Sequence, residues 1–232
     1  MIALGVLAVG LAAGYMLWLR DSSLVAVEDV KVVGVSSAER AEVGAALVEA
    51  GREMTTLHVR EDRLRAAAGR FPTVSSVKAD PEFPNGLTIE VTEREAVAVL
   101  AVDGRDLPVA GDGTLLPGIA TAGLDLPTVD ARAERSQRRL SGVAFEQARV
   151  LGAAPEPLRP LIEEATEDEA GIGVRLIDGI EVVFANASRA DEKWAVASRI
   201  LADDRLDGLA YIDVRAPDRP AVGGASSGAE AG

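Results

Sequence analysis

Ile2 to Leu19 (IALGVLAVGLAAGYMLWL) runs for eighteen residues without a charge. As a helix at about 1.5 Å per residue the run is roughly 27 Å long, close to the hydrocarbon thickness of a bilayer. Tyr15 and Trp18 stand near its end, where amphipathic rings favour the membrane–water interface. A cleaved signal peptide would instead place a basic region before a shorter apolar stretch and close it with a small-x-small site. Nothing basic precedes Ile2 and the exit reads Trp18-Leu19-Arg20, so residues 1–19 are predicted to be a retained transmembrane helix. The flanking charges pull the other way. Arg20 and Lys31 follow the run and only the α-amino group precedes it, which by the positive-inside rule favours a large domain on the cytoplasmic side. The expectation that reconciles the two is a native start upstream carrying a basic cytoplasmic leader, which mass spectrometry of the native N-terminus checks.

The rest of the chain is acidic: 24 Lys and Arg stand against 37 Asp and Glu, a net charge of −13. Such a chain repels phosphate backbones and is not expected to bind nucleic acid. It has no cysteine, which excludes disulfides, thiolate metal sites and cysteine catalysis. Its one histidine, His58, excludes sites that need two imidazoles, and its place just ahead of a helix reads as a capping or surface role. Hydrophobic residues reach 48% while aromatics are only 3%, so the core is expected to be built from Val, Leu, Ile and Ala.

After a linker over 20–26, residues 27–95 read strand, helix, helix, strand, strand. Val27 to Val33 is β-branched and ends at Gly34. Ser36 with Glu39 three residues on is a capping-box pattern, opening a helix with Val43, Ala46, Leu47 and Ala50 on one side and Gly51 as its C-cap. A second helix over about Val59 to Arg70 gathers Leu64, Ala67, Ala68 and Phe71, and Pro72 stops it. Val74 and Val77 lead into Pro84-Asn85-Gly86, a turn, and Leu87, Ile89 and Val91 then alternate with polar residues as a half-buried strand.

Ala96 to Val102 alternates as a strand, and Asp103-Gly104 and Gly111-Asp112-Gly113 signal turns. Ser141 to Leu151 is predicted to be a helix broken by Pro155, Pro157 and Pro160, with a short acidic helix around Leu161 to Ala165. Val174 and Leu176 before Asp178-Gly179, and Ile180, Val182 and Phe184 after it, form a hairpin pattern. Ser188 and Asp191 are expected to cap a helix whose buried stripe is Trp194, Ala197 and Leu201. Leu209 to Arg215 reads as a last strand, with Ile212 and Val214 on one face and Tyr211, Asp213 and Arg215 on the other. Residues 217–232, rich in Gly, Ala and Ser, read as a disordered tail.

The order of elements, with Pro72, Val74, Val77, Pro84, Leu87, Ile89, Val91 and the Glu93-Arg94 exit, resembles a POTRA domain, and more narrowly the one that follows the anchor in the FtsQ/DivIB cell-division family. Ala96 stands where that family often has Pro. The Asp178-Gly179 hairpin, Lys193 and the Tyr-Ile-Asp-Val-Arg strand resemble that family's β domain, here over 96–216. The fold class implied is α+β: a transmembrane helix, a POTRA domain, then a mixed β domain with flanking helices.

The resemblance implies a non-catalytic, membrane-tethered scaffold with its domains outside the cytoplasm, enriched at the septum, holding FtsB/FtsL-like partners at the C-terminal edge of the β domain. Arg215 keeps the family's strand-end Arg, whereas the family's Tyr and Trp positions read Ala216 and Gly224. Tyr211, Asp213, Arg215, Ala216 and Gly224 are therefore the expected partner contacts, with Tyr211 to Arg215 presenting an open strand edge. Arg60, Arg63 and Arg65 line a polar helix face that offers a second contact to an acidic or membrane surface.

An enzyme is the competing class. Glu90, Glu93 and Glu95, or Asp103, Asp106 and Asp112, are the carboxylates that would supply general acid–base chemistry, but in so acidic a chain they read as solvated strand faces and turns. The GDGTLLPG stretch has no phosphate-loop lysine, and the arginines Arg132, Arg135, Arg138 and Arg139 are interspersed with Glu134 as a solvated connection. No cofactor, metal or small-molecule substrate is expected. A membrane-anchored POTRA protein for envelope assembly or export is the alternative scaffold.

Overall fold

Leu87, Ile89 and Val91 are buried, and their alternation sets the middle strand of the first sheet in the computed structural model. The structure describes residues 22–102, 105–121, 123–129, 137–203 and 208–224, together with Gly10, Gly14, Tyr15, Trp18 and Arg20. The predicted transmembrane run lies outside these residues but for four helical positions, and among the described residues no helix is long and apolar enough to cross a membrane. The chain folds as two compact units, Met1–Arg94 and Glu95–Gly232.

In the first unit, β1 (Asp29–Val33) pairs parallel with β3 (Gly86–Glu93), which pairs antiparallel with β2 (Val74–Glu82). Helices α1 (Arg40–Arg52) and α2 (Glu61–Ala68) cover the sheet, burying Val43, Leu47 and Leu64. Gly34 ends β1 at φ +89, and a Cβ there would lie 2.1 Å from the Val91 carbonyl oxygen, so the site demands glycine.

Two helix-end readings are corrected. Ser36 does not cap α1: its N–H and hydroxyl donate to Glu93 at 2.8 and 2.6 Å, and Glu39 accepts instead from the Thr73 hydroxyl at 2.7 Å. A carboxylate brought in from β3 outcompetes the local capping box. Gly51 is not a C-cap either. It lies inside α1, where an added Cβ would meet Val30 and Leu87 side chains at 3.2 Å.

The second unit is built on a sheet of eight strands in the order β11-β10-β9-β8-β7-β6-β4-β5. The strands are β4 (Ala96–Val102), β5 (Arg105–Ala110), β6 (Thr128–Val129), β7 (Ile162–Asp168), β8 (Gly171–Leu176), β9 (Glu181–Ala185), β10 (Leu209–Asp213) and β11 (Ala221–Gly224). Helices α3 (Gly142–Gly152) and α4 (Ala190–Leu201) supply Ala148, Leu151, Trp194 and Ala197 to a core shared with Leu100, Val174, Phe184 and Ile212. Trp194 donates its indole N–H to the Val150 carbonyl at 2.7 Å and packs 4.9 Å from the Phe184 ring.

The segment 161–165 is not a helix: Glu156–Leu161 is a 3-10 turn and Ile162 opens β7. Its buried residues, Ile162 and Ala165, are three apart, a spacing that reads as helical, and a register shift between Ile162 and Glu164 in the pairing with β8 accommodates it. Ser188 and Asp191 do not cap α4. Arg189, in the left-handed region at φ 53, precedes the helix, and Ser188 donates to Asn186. The predicted disordered tail contains β11, which pairs antiparallel with β10.

Candidate partner-binding edge

β10 is an interior strand. It runs parallel to β9 on one side, and on the other it pairs with β11 in the register Tyr211↔Gly223, Ile212↔Val222 and Asp213↔Ala221. The edge strand on this side of the sheet is therefore β11, and the expectation that Tyr211 to Arg215 presents unpaired backbone is corrected. A third strand satisfies that side of β10. On its outer side β11 has no strand neighbour among the described residues, so an incoming extended segment has a template there.

The turn joining β10 to β11 is held at both ends. The Arg219 N–H donates to the Ala216 carbonyl at 2.8 Å. Arg189 bridges Glu192 at 2.6 Å and Asp218 at 3.2 Å, tying the turn to the start of α4; these two carboxylates raise the guanidinium's pKa. Lys193, buried in the next turn of α4, donates to the Phe184 and Asn186 carbonyls at 2.8 and 3.0 Å. Burial, then the neighbouring Arg189, lower its pKa, although Glu146 opposes them.

Along the edge the side chains differ in kind. Tyr211 lies over Gly223: a Cβ on that glycine would come 2.2 Å from the ring, so glycine lets an aromatic cover a strand with little apolar surface of its own. Asp213 and Arg215 form an internal pair. The Arg215 guanidinium donates to both carboxylate oxygens, at 3.1, 3.0 and 2.7 Å, and its N–H adds a bond at 3.0 Å. These bonds hold the Asp213 carboxyl below its ordinary pKa against a smaller opposing effect of burial. Arg215 thus points at a carboxylate of its own chain. Of the expected contacts, Tyr211, Asp213, Arg215 and Gly224 come together at this edge, while exposed Ala216 sits in the turn.

Val222, Gly223, Asp218 and Arg189 were not foreseen. The Pro217-Asp218-Arg219-Pro220 stretch between two short β segments was the available signal, a turn in what composition alone labels a tail.

On the first unit, Arg60 donates to the Glu53 carbonyl at 3.4 Å, Arg63 bridges the Glu53 carboxylate at 3.4 Å, and Arg65 bridges Glu61 at 2.8 Å. The predicted cationic face is interleaved with its own carboxylates. The carboxylates weighed for catalysis are occupied in part: Glu93 binds Ser36 and Ser37, Glu95 bridges Arg159 at 2.9 Å, and Asp112 accepts from the Thr114 N–H at 3.0 Å. Asp103 lies outside the described residues.

A three-stranded β-α-α-β-β module followed by a mixed-sheet module with an open C-terminal strand defines a class of POTRA-bearing proteins. Residues 25–94 match the model of the FtsQ-type POTRA domain, and residues 98–215 match that of the C-terminal domain of the cell division protein FtsQ/DivIB. The chain belongs to the FtsQ/DivIB family of cell division proteins. It is 29% identical over 234 residues to the cell division protein FtsQ of Streptomyces venezuelae, covering 97% of this chain and 83% of that protein. It is 30% identical over 213 residues to FtsQ of Streptomyces griseus, covering 87% of this chain and 98% of that protein. The DivIB of Staphylococcus aureus is 25% identical over 154 residues, 62% of this chain and 33% of that protein. Neither matched family is an enzyme family.

Proposed function

We propose that this protein is a membrane-anchored, non-catalytic scaffold of the division apparatus, with both folded units outside the cytoplasm. Its C-terminal unit captures an FtsB/FtsL-like partner segment as a ninth strand on β11. The observation that supports this is the strand order, which ends at β11 with Ala221, Val222 and Gly224 exposed. Main-chain hydrogen bonds supply affinity in such strand addition, and side chains beside the edge supply selectivity. Tethering through the 2–19 run confines the scaffold and its partners to one membrane, raising their effective concentration.

Proline substitution tests the edge. Successive N–H groups alternate in direction along an antiparallel strand, so one of Ala221 and Val222 donates outward. Of Ala221→Pro and Val222→Pro, the one that removes the outward N–H is expected to abolish capture in a pull-down with an FtsB/FtsL-like partner, with the far-UV circular dichroism unchanged. Capture unaffected by both prolines would sink the β11 assignment. The same reading keeps Arg60, Arg63 and Arg65 as a second contact on the POTRA unit. Reversing all three charges is expected to displace a fluorescent fusion from septa, and normal septal bands would count against that contact.

A further inference from the structure

Among the described residues of the first unit, the large exposed apolar side chains are Tyr15, Trp18, Leu24, Leu57 and Phe83. The first two belong to the apolar run. The other three, 65%, 44% and 70% exposed, lie in three separate segments that the fold ties into one pole. The Thr56 N–H donates to the Val25 carbonyl at 2.8 Å, and its hydroxyl to the Pro84 carbonyl at 2.7 Å. The Asn85 amide donates to the Leu24 and Ala26 carbonyls at 3.2 and 2.8 Å. The same pole grips the end of the run, because the Thr55 hydroxyl donates to the Arg20 carbonyl at 2.5 Å. Arg20 directly follows Leu19, the last residue of the uncharged stretch.

We propose that the pole formed by residues 22–26, 55–58 and 83–85 sits in the interfacial layer of the bilayer that the 2–19 run enters, with Leu24, Leu57 and Phe83 inserted among the lipid headgroups. The proposal rests on the anchor reading above. Consecutive Cα atoms are only about 3.8 Å apart, so a pole pinned at Arg20 has almost no slack with which to stand off the membrane. Apolar side chains left in water at that distance from lipid lose less by entering the interface than by staying exposed. Charge does not provide the attraction. Arg20, Arg52 and Arg60, in or next to the segments of this pole, are matched by Glu28, Glu53 and Glu82 in or next to the same segments, so insertion is driven by the apolar residues and depends little on anionic lipid.

The absence of cysteine makes the test direct. Single spin labels are placed at Leu24→Cys, Leu57→Cys and Phe83→Cys in the full chain reconstituted into phosphatidylethanolamine–phosphatidylglycerol liposomes. Gly10→Cys reports the anchor, and Ser75→Cys, at the other end of β2, reports solvent. The three pole labels are expected to show a severalfold higher ratio of oxygen to nickel-chelate accessibility than the Ser75 label. Adding Leu24→Ser and Phe83→Ser is expected to drop the ratio at position 57 severalfold. Pole labels that match Ser75 while Gly10 reads as lipid-buried would overturn the proposal and leave the anchor standing. A Gly10 label open to water would remove both. Pole labels that stay wet in liposomes but become immobilised in native membranes would show a protein covering the pole, which also overturns it.

Discussion

The two units expose different things. The first closes a three-stranded sheet under two helices and concentrates its exposed apolar side chains at one pole, beside the end of the apolar run. In the second, Leu161 and Ile177 adjoin, Tyr211 and Val222 stand on the paired strands β10 and β11, and Leu124 and Val143 are exposed elsewhere; along β11 the outer side has no strand neighbour among the described residues. A surface that works through side chains suits a partner without hydrogen-bonding regularity, such as lipid. A strand edge suits another polypeptide, whatever its sequence, and leaves specificity to a few neighbours such as Tyr211 and Arg215. Under the two proposals above, one chain thus carries two recognition modes, one in each unit.

The core of the second unit holds its sheet order in place, and the largest effect is expected there. Trp194→Ala removes a fully buried ring and its bond to Val150, and is expected to cost about 3–5 kcal/mol. Urea unfolding followed by hydrogen exchange of β8 and β9 amides measures it. A loss below about 1 kcal/mol would mean that Trp194 does not anchor α4 to β9 and to Val150 of α3.

In the first unit the corresponding clamp is polar. Glu93 leaves β3 and accepts from the Ser36 N–H, the Ser36 hydroxyl and the Ser37 N–H, the last at 3.2 Å. Its neighbour Arg94 donates to the Pro72 carbonyl at 2.8 Å and to the Val74 carbonyl. The Glu-Arg pair that marks the end of the module is therefore a fastener joining the end of β3 to the β1–α1 connection and to the start of β2. Burial raises the Glu93 carboxyl, but the hydrogen bonds from Ser36 and Ser37 together outweigh it and leave the pKa lowered from 4.5. A depressed carboxylate contributes stability that is present above the unfolded value and lost as pH falls through the folded one. Glu93→Gln is expected to cost about 1–3 kcal/mol at neutral pH and to flatten the acid limb of the stability curve below pH 4.5. Equal acid sensitivity in variant and parent would refute the fastener.

What the residues disclosed in advance follows from how local each element's cause is. The Leu87-Ile89-Val91 alternation, the Asp178-Gly179 hairpin and the Trp194-Ala197 stripe carry their own period, and all three stand in the structure. Strand β5 was missed because Arg105 and Asp106 lead it and Pro108 interrupts it, yet Val109 and Ala110 are buried against β4. Strand β11 was missed because Ala-Val-Gly-Gly has one β-branched residue. Pairing with β10, and the Tyr211 ring over Gly223, form it from outside. The edge of the sheet was thus placed one strand too early. Arg215 was read as free for a partner because the bond to Asp213, two residues away along one strand face, depends on side-chain geometry that spacing does not specify.

That bond offers the smallest and most discriminating test of the two-mode contrast. The pair is partly exposed, with Asp213 at 22% and Arg215 at 51%, so solvent screens it and it adds little to stability. Because the Asp213 pKa is lowered, whatever it contributes is present above pH 3.8 and fades as pH falls through the folded value. Its larger consequence concerns capture. An Arg215 already satisfied by its own chain must give up that bond before it meets an acidic partner residue. Asp213→Asn is expected to leave the fold intact and tighten partner capture by up to about fivefold, the equivalent of one surface ion pair, as measured by titration calorimetry. A weaker complex would instead make the Asp213 carboxylate itself a contact, and the edge would then read its partner through an acid rather than a base.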